Sequence, residues 1–117
     1  MSKKNKNFEL LFSYGTLQQE NVQLGSFGRK LIGYQDYLPE YKIKNLKIKD
    51  PKVLELSGKK YHPVALPSSG DSVKGMVFEV TLDEIEESDK YEVSDYVRKA
   101  LTLASGKVAW VYVWADL

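Results

Sequence analysis

The feature that most constrains the fold is a strand that runs directly into a helix. The segment VKGMVFEV, residues 73–80, alternates its side chains with the two-residue period of a β-strand. It continues as TLDE, in which Thr81 and Glu84 have the spacing of a helix capping box. A helix of two or three turns is therefore predicted after Thr81, ending near Asp89 or Lys90. One face of the strand carries Met76, Phe78 and Val80, and the other carries Val73, Gly75 and Val77.

Further strands are predicted towards both ends of the chain. Residues 8–13, FELLFS, are mostly apolar and read as a strand buried on both faces. The runs 97–103 and 107–114 alternate and are joined by Ala-Ser-Gly, which predicts a β-hairpin. The side chains predicted to share one face of the last strand are Trp110, Tyr112 and Trp114.

The middle of the chain is less regular. Residues 21–29 are predicted to form a short helix, and residues 41–49 an imperfectly alternating strand. Residues 31–41 are rich in aromatics and contain Pro39, which indicates an irregular or edge element. The strip HPVALP is bounded by prolines, and residues 68–71 after it read as a loop.

The order of these elements defines the fold class. About five to seven strands with one or two short helices, in the order strands, helix, hairpin, predict an α+β protein with a mixed sheet or small barrel rather than alternating βαβ units. The 117 residues fit one domain, which we place at 8–117. Residues 1–7, MSKKNKN, are predicted to be a disordered basic tail.

Residue usage excludes several chemistries. The chain has no cysteine, so disulfides, thiolate zinc sites and a cysteine nucleophile are impossible. His62 is the one histidine and no GxSxG motif is present, which argues against a serine triad. Walker and GxGxxG loops are also missing. The acidic residues of the predicted helix read as a solvated face, so neither a metal nor another cofactor is expected.

Charge and hydropathy are those of an ordinary soluble protein and give little reason to expect binding to nucleic acid or a membrane. Residues 1–60 hold twelve Lys or Arg against six Asp or Glu, and residues 61–117 hold five against ten. Two halves of opposite charge within one domain are weak grounds for nucleic-acid binding, because each can face the field of the other. We therefore do not expect the protein to bind nucleic acid. The run VAWVYVWA is too short to span a membrane, and the N-terminus lacks a signal-peptide core. A cytoplasmic location is the expectation.

Two short segments are candidates for a functional site. The first strand ends in Tyr14-Gly15-Thr16-Leu17. A glycine there allows unusual φ values and close approach of a ligand to the backbone, and successive N–H groups in such a turn can bind an anion. A plain tight turn explains the same letters equally well.

The second segment, DKYEVSDYVR, follows the predicted helix. Glu92 stands between Tyr91 and Tyr96, and a carboxylate beside aromatic rings is desolvated, which raises its pKa towards the range useful for proton transfer. Taken alone, Glu92 reads more simply as a surface or helix-end glutamate.

Five segments in order resemble the γ-glutamylcyclotransferase-like family, which includes the plant avirulence-induced-gene-like proteins and the γ-glutamylamine cyclotransferases. They are YGTL, HPVALP, GMVFEV, DKYEVSDYVRK and SGKVAWVYVW, and the resemblance covers about residues 8–115. It implies a small mixed β-barrel with a pocket at one end, binding a γ-glutamyl substrate without a cofactor. The glutamate of the family's DxYE-type motif, Glu92 here, is implied to be the general acid/base.

The resemblance also implies which residues bind. Backbone groups of the YGxL turn hold the carboxylate of the γ-glutamyl group in the family. Tyr96 matches a tyrosine that could line the pocket, and Arg98 matches an arginine whose role is open. The positions that match the YGxL turn are Tyr14, Gly15, Thr16 and Leu17.

Departures from the family pattern leave several questions open. Where many members read LDxYEG, this chain reads SDKYEV, and QQENVQ follows YGTL in place of an Arg/Gly-rich loop. Both changes border the expected pocket, so the leaving amine is undetermined.

The alternatives to this enzymatic function are a non-catalytic module that binds a small metabolite or partner on the same barrel, and RNA or peptide binding through the lysines of residues 42–49. Pairing of two copies as a homodimer is a further alternative.

Overall fold

The computed structural model describes residues 8–47, 61–91 and 96–115. The first strand is followed by a short 3-10 turn, and the predicted helices and the other predicted strands are present. The segments predicted at 31–41 and 41–49 form one edge strand that is described as far as Lys47, and residues 48 and 49 lie outside the described residues. The predicted tail, residues 1–7, lies outside them, so its disorder and the domain bounds stay predictions. The elements are β1 (Phe8–Ser13), the 3-10 turn (Thr16–Gln18), α1 (Glu20–Phe27), β2 (Ile32–Lys47), β3 (Tyr61–Thr81), α2 (Leu82–Tyr91), β4 (Tyr96–Thr102) and β5 (Val108–Trp114).

The five strands form one mixed sheet in the order β2-β3-β1-β5-β4. β1 is central, antiparallel to β3 and parallel to β5, with Phe12 opposite both Val77 and Val111. The α+β class with a mixed sheet is therefore confirmed. Within the described residues the sheet is not closed, because β2 and β4 are its edges; the expected barrel is an open sheet.

β2 and β3 pair along most of their lengths as one long antiparallel ribbon. The register shifts between Pro39 and Tyr41, where proline cannot donate a ladder hydrogen bond. Opposite this shift, the Gly70 N–H donates to the Glu40 carboxylate at 2.6 Å. Residues 68–71, predicted to be a loop, thus remain within β3, because the irregularity takes the form of a bulge rather than an interruption.

The apolar side chains form two clusters on opposite faces of the sheet. Leu11 belongs to one cluster and Phe12 to the other, as expected for a central strand buried on both faces. The predicted alternation in residues 73–80 is confirmed, since Val77 packs with Phe12 and Phe78 packs with Leu11. Helix α2 covers the Leu11 cluster by burying Ile85 in it.

The predicted capping box at the start of α2 is confirmed. The Glu84 N–H donates to the Thr81 hydroxyl at 3.1 Å, and the Thr81 N–H donates to the Glu84 carboxylate at 2.8 Å. Arg29 donates from Nε and Nη2 to the same carboxylate at 2.9 and 2.7 Å. These Arg29 hydrogen bonds, with those of Thr81, hold the pKa of Glu84 below its usual range despite partial burial.

A buried carboxylate fixes the turn between β4 and β5. Asp36 on β2 is 5% exposed. It accepts the Tyr37 N–H at 2.7 Å and the Ser105 hydroxyl at 2.6 Å. Burial alone would raise the pKa of Asp36, but the hydrogen bonds from Ser105 and Tyr37, together with the nearby Lys107 ammonium, hold it below its usual range.

We expect these carboxylates to make the fold sensitive to acid. A carboxylate whose pKa is depressed by folding stabilises the protein above its unfolded pKa, near 4, and that stability is lost as the pH falls towards the folded pKa. Urea midpoints measured between about pH 6 and pH 3 should therefore fall with pH. The Asp36→Asn variant should be less stable at neutral pH and show a shallower fall. A wild-type profile that stays flat over this range would contradict the argument.

Among the helices that the structure describes, none is both long and apolar enough to cross a lipid bilayer.

Candidate active site

The segment after β1 is a tight turn held by its own polar groups. The Gly15 N–H donates to the Ser13 hydroxyl oxygen at 3.3 Å, and the Gln18 N–H donates to the Gly15 carbonyl at 3.2 Å. The Gln18 side-chain amide also donates to the Ser13 carbonyl at 3.2 Å. Serine before the turn and glutamine after it therefore fix the conformation of the predicted anion-binding segment.

Gly15 has open space beside it rather than an unusual backbone conformation. Its φ is not among the positive values of the described glycines, and an added Cβ would meet no atom of the described residues within 4 Å, apart from its chain neighbours. The unusual φ that a glycine allows is therefore not used at this position. The second reason for a glycine at this position, that a ligand can approach the main chain closely, agrees with the geometry.

Gln23 on α1 supports this turn from beneath and was not identified from the sequence. It is 5% exposed. Its Nε2 donates to the Leu17 carbonyl at 2.8 Å, and its Oε1 accepts the Leu31 N–H at 2.8 Å. Both ends of the buried amide are thus paired, which fixes Leu17 relative to the start of β2. The Leu17 side chain packs against the Leu11 cluster, so only main-chain groups of Leu17 are suited to ligand binding.

Tyr14 joins two strands through its hydroxyl. The hydroxyl donates to the Tyr112 carbonyl on β5 at 2.5 Å and accepts the Ala65 N–H on β3 at 3.1 Å. β3 therefore returns towards β5 beyond the end of β1, and the Tyr14 hydroxyl bridges them there.

Tyr96, the first residue of the edge strand β4, contacts the same part of β3 as Tyr14 does. Its hydroxyl donates to the Pro63 carbonyl at 2.5 Å. Pro63 and Ala65 both belong to the HPVALP strip, so the structure brings Tyr14 and Tyr96 to one short segment. The strip is one of the segments singled out in the sequence, and its contacts with two predicted site tyrosines give it a structural role at the site.

Arg98 and Tyr112 hold the last turn of α2 through Asp89. Arg98 donates from Nε and Nη2 to the two Asp89 carboxylate oxygens at 3.0 and 2.9 Å. The Tyr112 hydroxyl donates to the same carboxylate at 2.6 Å. Partial burial alone would raise the pKa of Asp89, but the hydrogen bonds from Tyr112 and Arg98 and the charge of Arg98 hold it below its usual range.

The Arg98 guanidinium is supported by an aromatic ring. It lies 4.3 Å from the centroid of the Trp110 ring, the geometry of a cation–π contact. Trp110 in turn donates from Nε1 to the Glu9 carboxylate on β1 at 3.0 Å. The Arg98 guanidinium is therefore held in two ways. Its N–H groups donate to Asp89, and its planar face lies against the Trp110 ring.

Tyr112 connects the two candidate segments. Its carbonyl accepts from Tyr14 of the YGTL turn, and its hydroxyl donates to Asp89 of the DKYE segment. Glu92 lies outside the described residues, directly after Tyr91, the last residue of α2. The described contacts therefore bring the YGTL turn and the last turn of α2 to one residue of β5.

These features define an α+β protein in which a glycine-containing turn after the central strand and the end of a helix meet at the sheet. The family described as gamma-glutamyl cyclotransferase, AIG2-like, matches residues 11–117. The chain belongs to this family. No curated protein sequence matches the chain significantly.

Several solved structures share the fold. A protein from Arabidopsis thaliana, solved in solution, is 21% identical with a TM-score of 0.73, and the match covers 99% of this chain and 67% of that one. A structure named gamma-glutamyl cyclotransferase is 18% identical with a TM-score of 0.72, covering 94% and 68%. An uncharacterized protein from Homo sapiens is 19% identical with a TM-score of 0.67, covering 93% and 68%. At these identities the likeness shows the fold alone.

Proposed function

We propose that this protein is a γ-glutamylcyclotransferase-type enzyme that converts the γ-glutamyl group of an amine or peptide into 5-oxoproline. Membership of the family supports this assignment. The observation that carries it is the double contact of Tyr112, which joins the turn implied to bind the substrate to the helix that leads to the implied acid. Neither segment would be a site on its own.

The reaction needs no nucleophile from the protein. The α-amino nitrogen of the substrate attacks its own γ-carbonyl carbon, and a five-membered ring closes as the new C–N bond forms. The bond from that carbon to the leaving nitrogen then breaks, and the amine departs with a proton. Orienting reacting groups within one molecule can contribute about 7–11 kcal/mol, so folding the glutamyl chain correctly is the main task of the site.

Glu92 is proposed to move the proton. The substrate ammonium cannot attack until it loses a proton, and the departing nitrogen is a poor leaving group until it gains one. One carboxylate can accept the first proton and return it to the second nitrogen, a contribution of about 10²–10⁴-fold. Glu92 follows Tyr91 in the chain, and the last turn of α2 is tied to the sheet through Asp89.

The turn after β1 is proposed to hold the α-carboxylate of the substrate. Main-chain N–H groups of Thr16 and Leu17 at the start of a helical turn have no acceptor within that turn. The open space beside Gly15 would let a carboxylate approach the backbone. Gln23 and Gln18 hold this turn in place through the Leu17 and Ser13 carbonyls.

The proposal predicts a direct product. Purified protein incubated with γ-glutamyl amino acids and with γ-glutamyl-lysine should release 5-oxoproline and the free amine in equal amounts, measured by chromatography against standards. Glutathione should be included, because it presents the same glutamyl end with a different leaving group. Saturable binding of these compounds with no product would contradict the enzyme assignment and favour a binding module.

A further inference from the structure

We propose that Asp89, Arg98 and Tyr112 form a positioning clamp that fixes the last turn of α2 on the sheet beside the YGTL turn. This inference rests on the proposed function. It assigns Arg98 a role other than contact with the substrate. We call these three residues the Asp89 clamp; none of them is a catalytic residue, because each acts through the position of α2.

The clamp joins Asp89 of α2 to two residues that are paired on the neighbouring strands β4 and β5. Arg98 on β4 and Tyr112 on β5 are direct partners in the strand register. Both donate to the carboxylate of Asp89, so three hydrogen bonds of 2.6 to 3.0 Å converge on it. A helix end held at three donor atoms of a rigid sheet has little freedom to rotate or slide.

The geometry favours an orienting role over a stabilising one. The Asp89 and Arg98 side chains are 39% and 22% exposed, and ion pairs in contact with water contribute little to folding stability. A bidentate arginine–carboxylate pair nevertheless fixes direction, because two parallel hydrogen bonds define a plane. Trp110 lies 4.3 Å from the guanidinium and keeps that plane in place.

The clamp reaches the YGTL turn through the main chain of Tyr112. Its carbonyl is the acceptor for the Tyr14 hydroxyl at 2.5 Å, while its own hydroxyl holds Asp89. Tyr112 is therefore the residue through which the clamp and the proposed carboxylate-binding turn are connected. Since small displacements of a reacting group can lower rates by about 10²-fold, loss of the clamp should act on turnover.

The test compares the clamp with a matched ion pair on the same helix. Arg98→Met removes both donors, and Arg98→Lys keeps the charge without the bidentate geometry. The control is Glu87→Gln, which breaks the exposed Lys90–Glu87 pair of 3.3 Å within α2. We expect kcat to fall about 10- to 100-fold in Arg98→Met with KM within a few-fold of wild type. Arg98→Lys should not recover this kcat, and the thermal midpoints of both variants should stay near that of the wild type. Glu87→Gln should leave both constants unchanged.

Two further readouts separate positioning from general stability. The acidic limb of the kcat–pH profile should shift in Arg98→Met, because the surroundings of the proton-transfer group change. Amide hydrogen exchange should accelerate in residues 86–91 and stay unchanged in β1 and β3. Unchanged kcat, or a loss of kcat that Arg98→Lys recovers together with the thermal midpoint, would overturn the clamp.

Failure of the clamp and failure of the proposed function give different results. If wild-type protein forms 5-oxoproline and the Arg98 variants match it in kcat and in exchange, the clamp is overturned while the enzyme assignment stands. If wild-type protein forms no 5-oxoproline, the assignment and the catalytic consequence of the clamp fall together. The exchange comparison then still decides whether Arg98 orders the end of α2.

Discussion

The Glu92→Gln variant is expected to lose about 10²–10⁴-fold in kcat, with KM close to that of the wild type. Glutamine keeps the size of the side chain and its hydrogen-bonding capacity but cannot accept the substrate's proton at neutral pH. The turn that holds the α-carboxylate is a separate segment, so binding should persist. Initial rates of 5-oxoproline release over a range of substrate concentrations separate the two constants.

A matched control exists on the neighbouring helix. Glu86 is an exposed residue of α2, so Glu86→Gln makes the same chemical change six positions earlier. It should leave kcat, KM and the thermal midpoint near the wild-type values. Turnover within a few-fold of wild type in Glu92→Gln would rule out Glu92 as the proton-transfer group, whatever the family resemblance implies.

The Gly15→Ala variant is expected to lower kcat/KM by about 10²-fold without lowering the stability of the fold. The φ of Gly15 is not in the left-handed region, and among the described residues the new methyl group would meet no atom within 4 Å apart from its chain neighbours. Replacing glycine at such a position stabilises a protein by about 0.4–1 kcal/mol. Activity should fall because the methyl group would occupy the space proposed for the substrate carboxylate.

Gly25→Ala is the control for this experiment. Gly25 lies inside α1, and an added Cβ there also meets no atom within 4 Å. Alanine is favoured over glycine in a helix by about 1 kcal/mol, so the urea midpoint should rise with no change in turnover. If Gly15→Ala keeps full kcat/KM, the carboxylate does not approach the backbone at Gly15. If Gly15→Ala unfolds, the conformation described for the turn is wrong.

The predictions that the structure confirms concern features set by neighbouring residues. Thr81 and Glu84 stand three positions apart, so their reciprocal hydrogen bonds follow from local geometry once a helix begins. Val77 and Phe78 face opposite clusters because successive strand residues must point to opposite sides. The hairpin of β4 and β5 followed from alternation around a short Ala-Ser-Gly turn.

The features that sequence reasoning missed depend on distant contacts. Residues 68–71 have the composition of a loop and have no register partner in β2, but the pairing on either side of them, at Pro67 and Ser72, leaves them as a bulge within β3. Gln23 looks like an ordinary polar helix residue, and only the approach of Leu17 and Leu31 makes it a buried bridge. Tyr34 on β2 packs against the Phe12 cluster, and the Lys107 ammonium lies 4.6 Å from the centroid of its ring, a contact that no sequence signal indicated.

The amino-acid sequence by itself determined the α+β class, the strand faces, the start of α2 and the membership of a family, because each depends on local pattern or on the order of motifs. Only the tertiary structure decided that Tyr14 and Tyr112, 98 positions apart, share a hydrogen bond. It likewise decided that Arg98 meets Asp89 and that Gly15 has open space beside it. These contacts depend on how β3 bends and how α2 lies on the sheet, and the packing of the whole core fixes both.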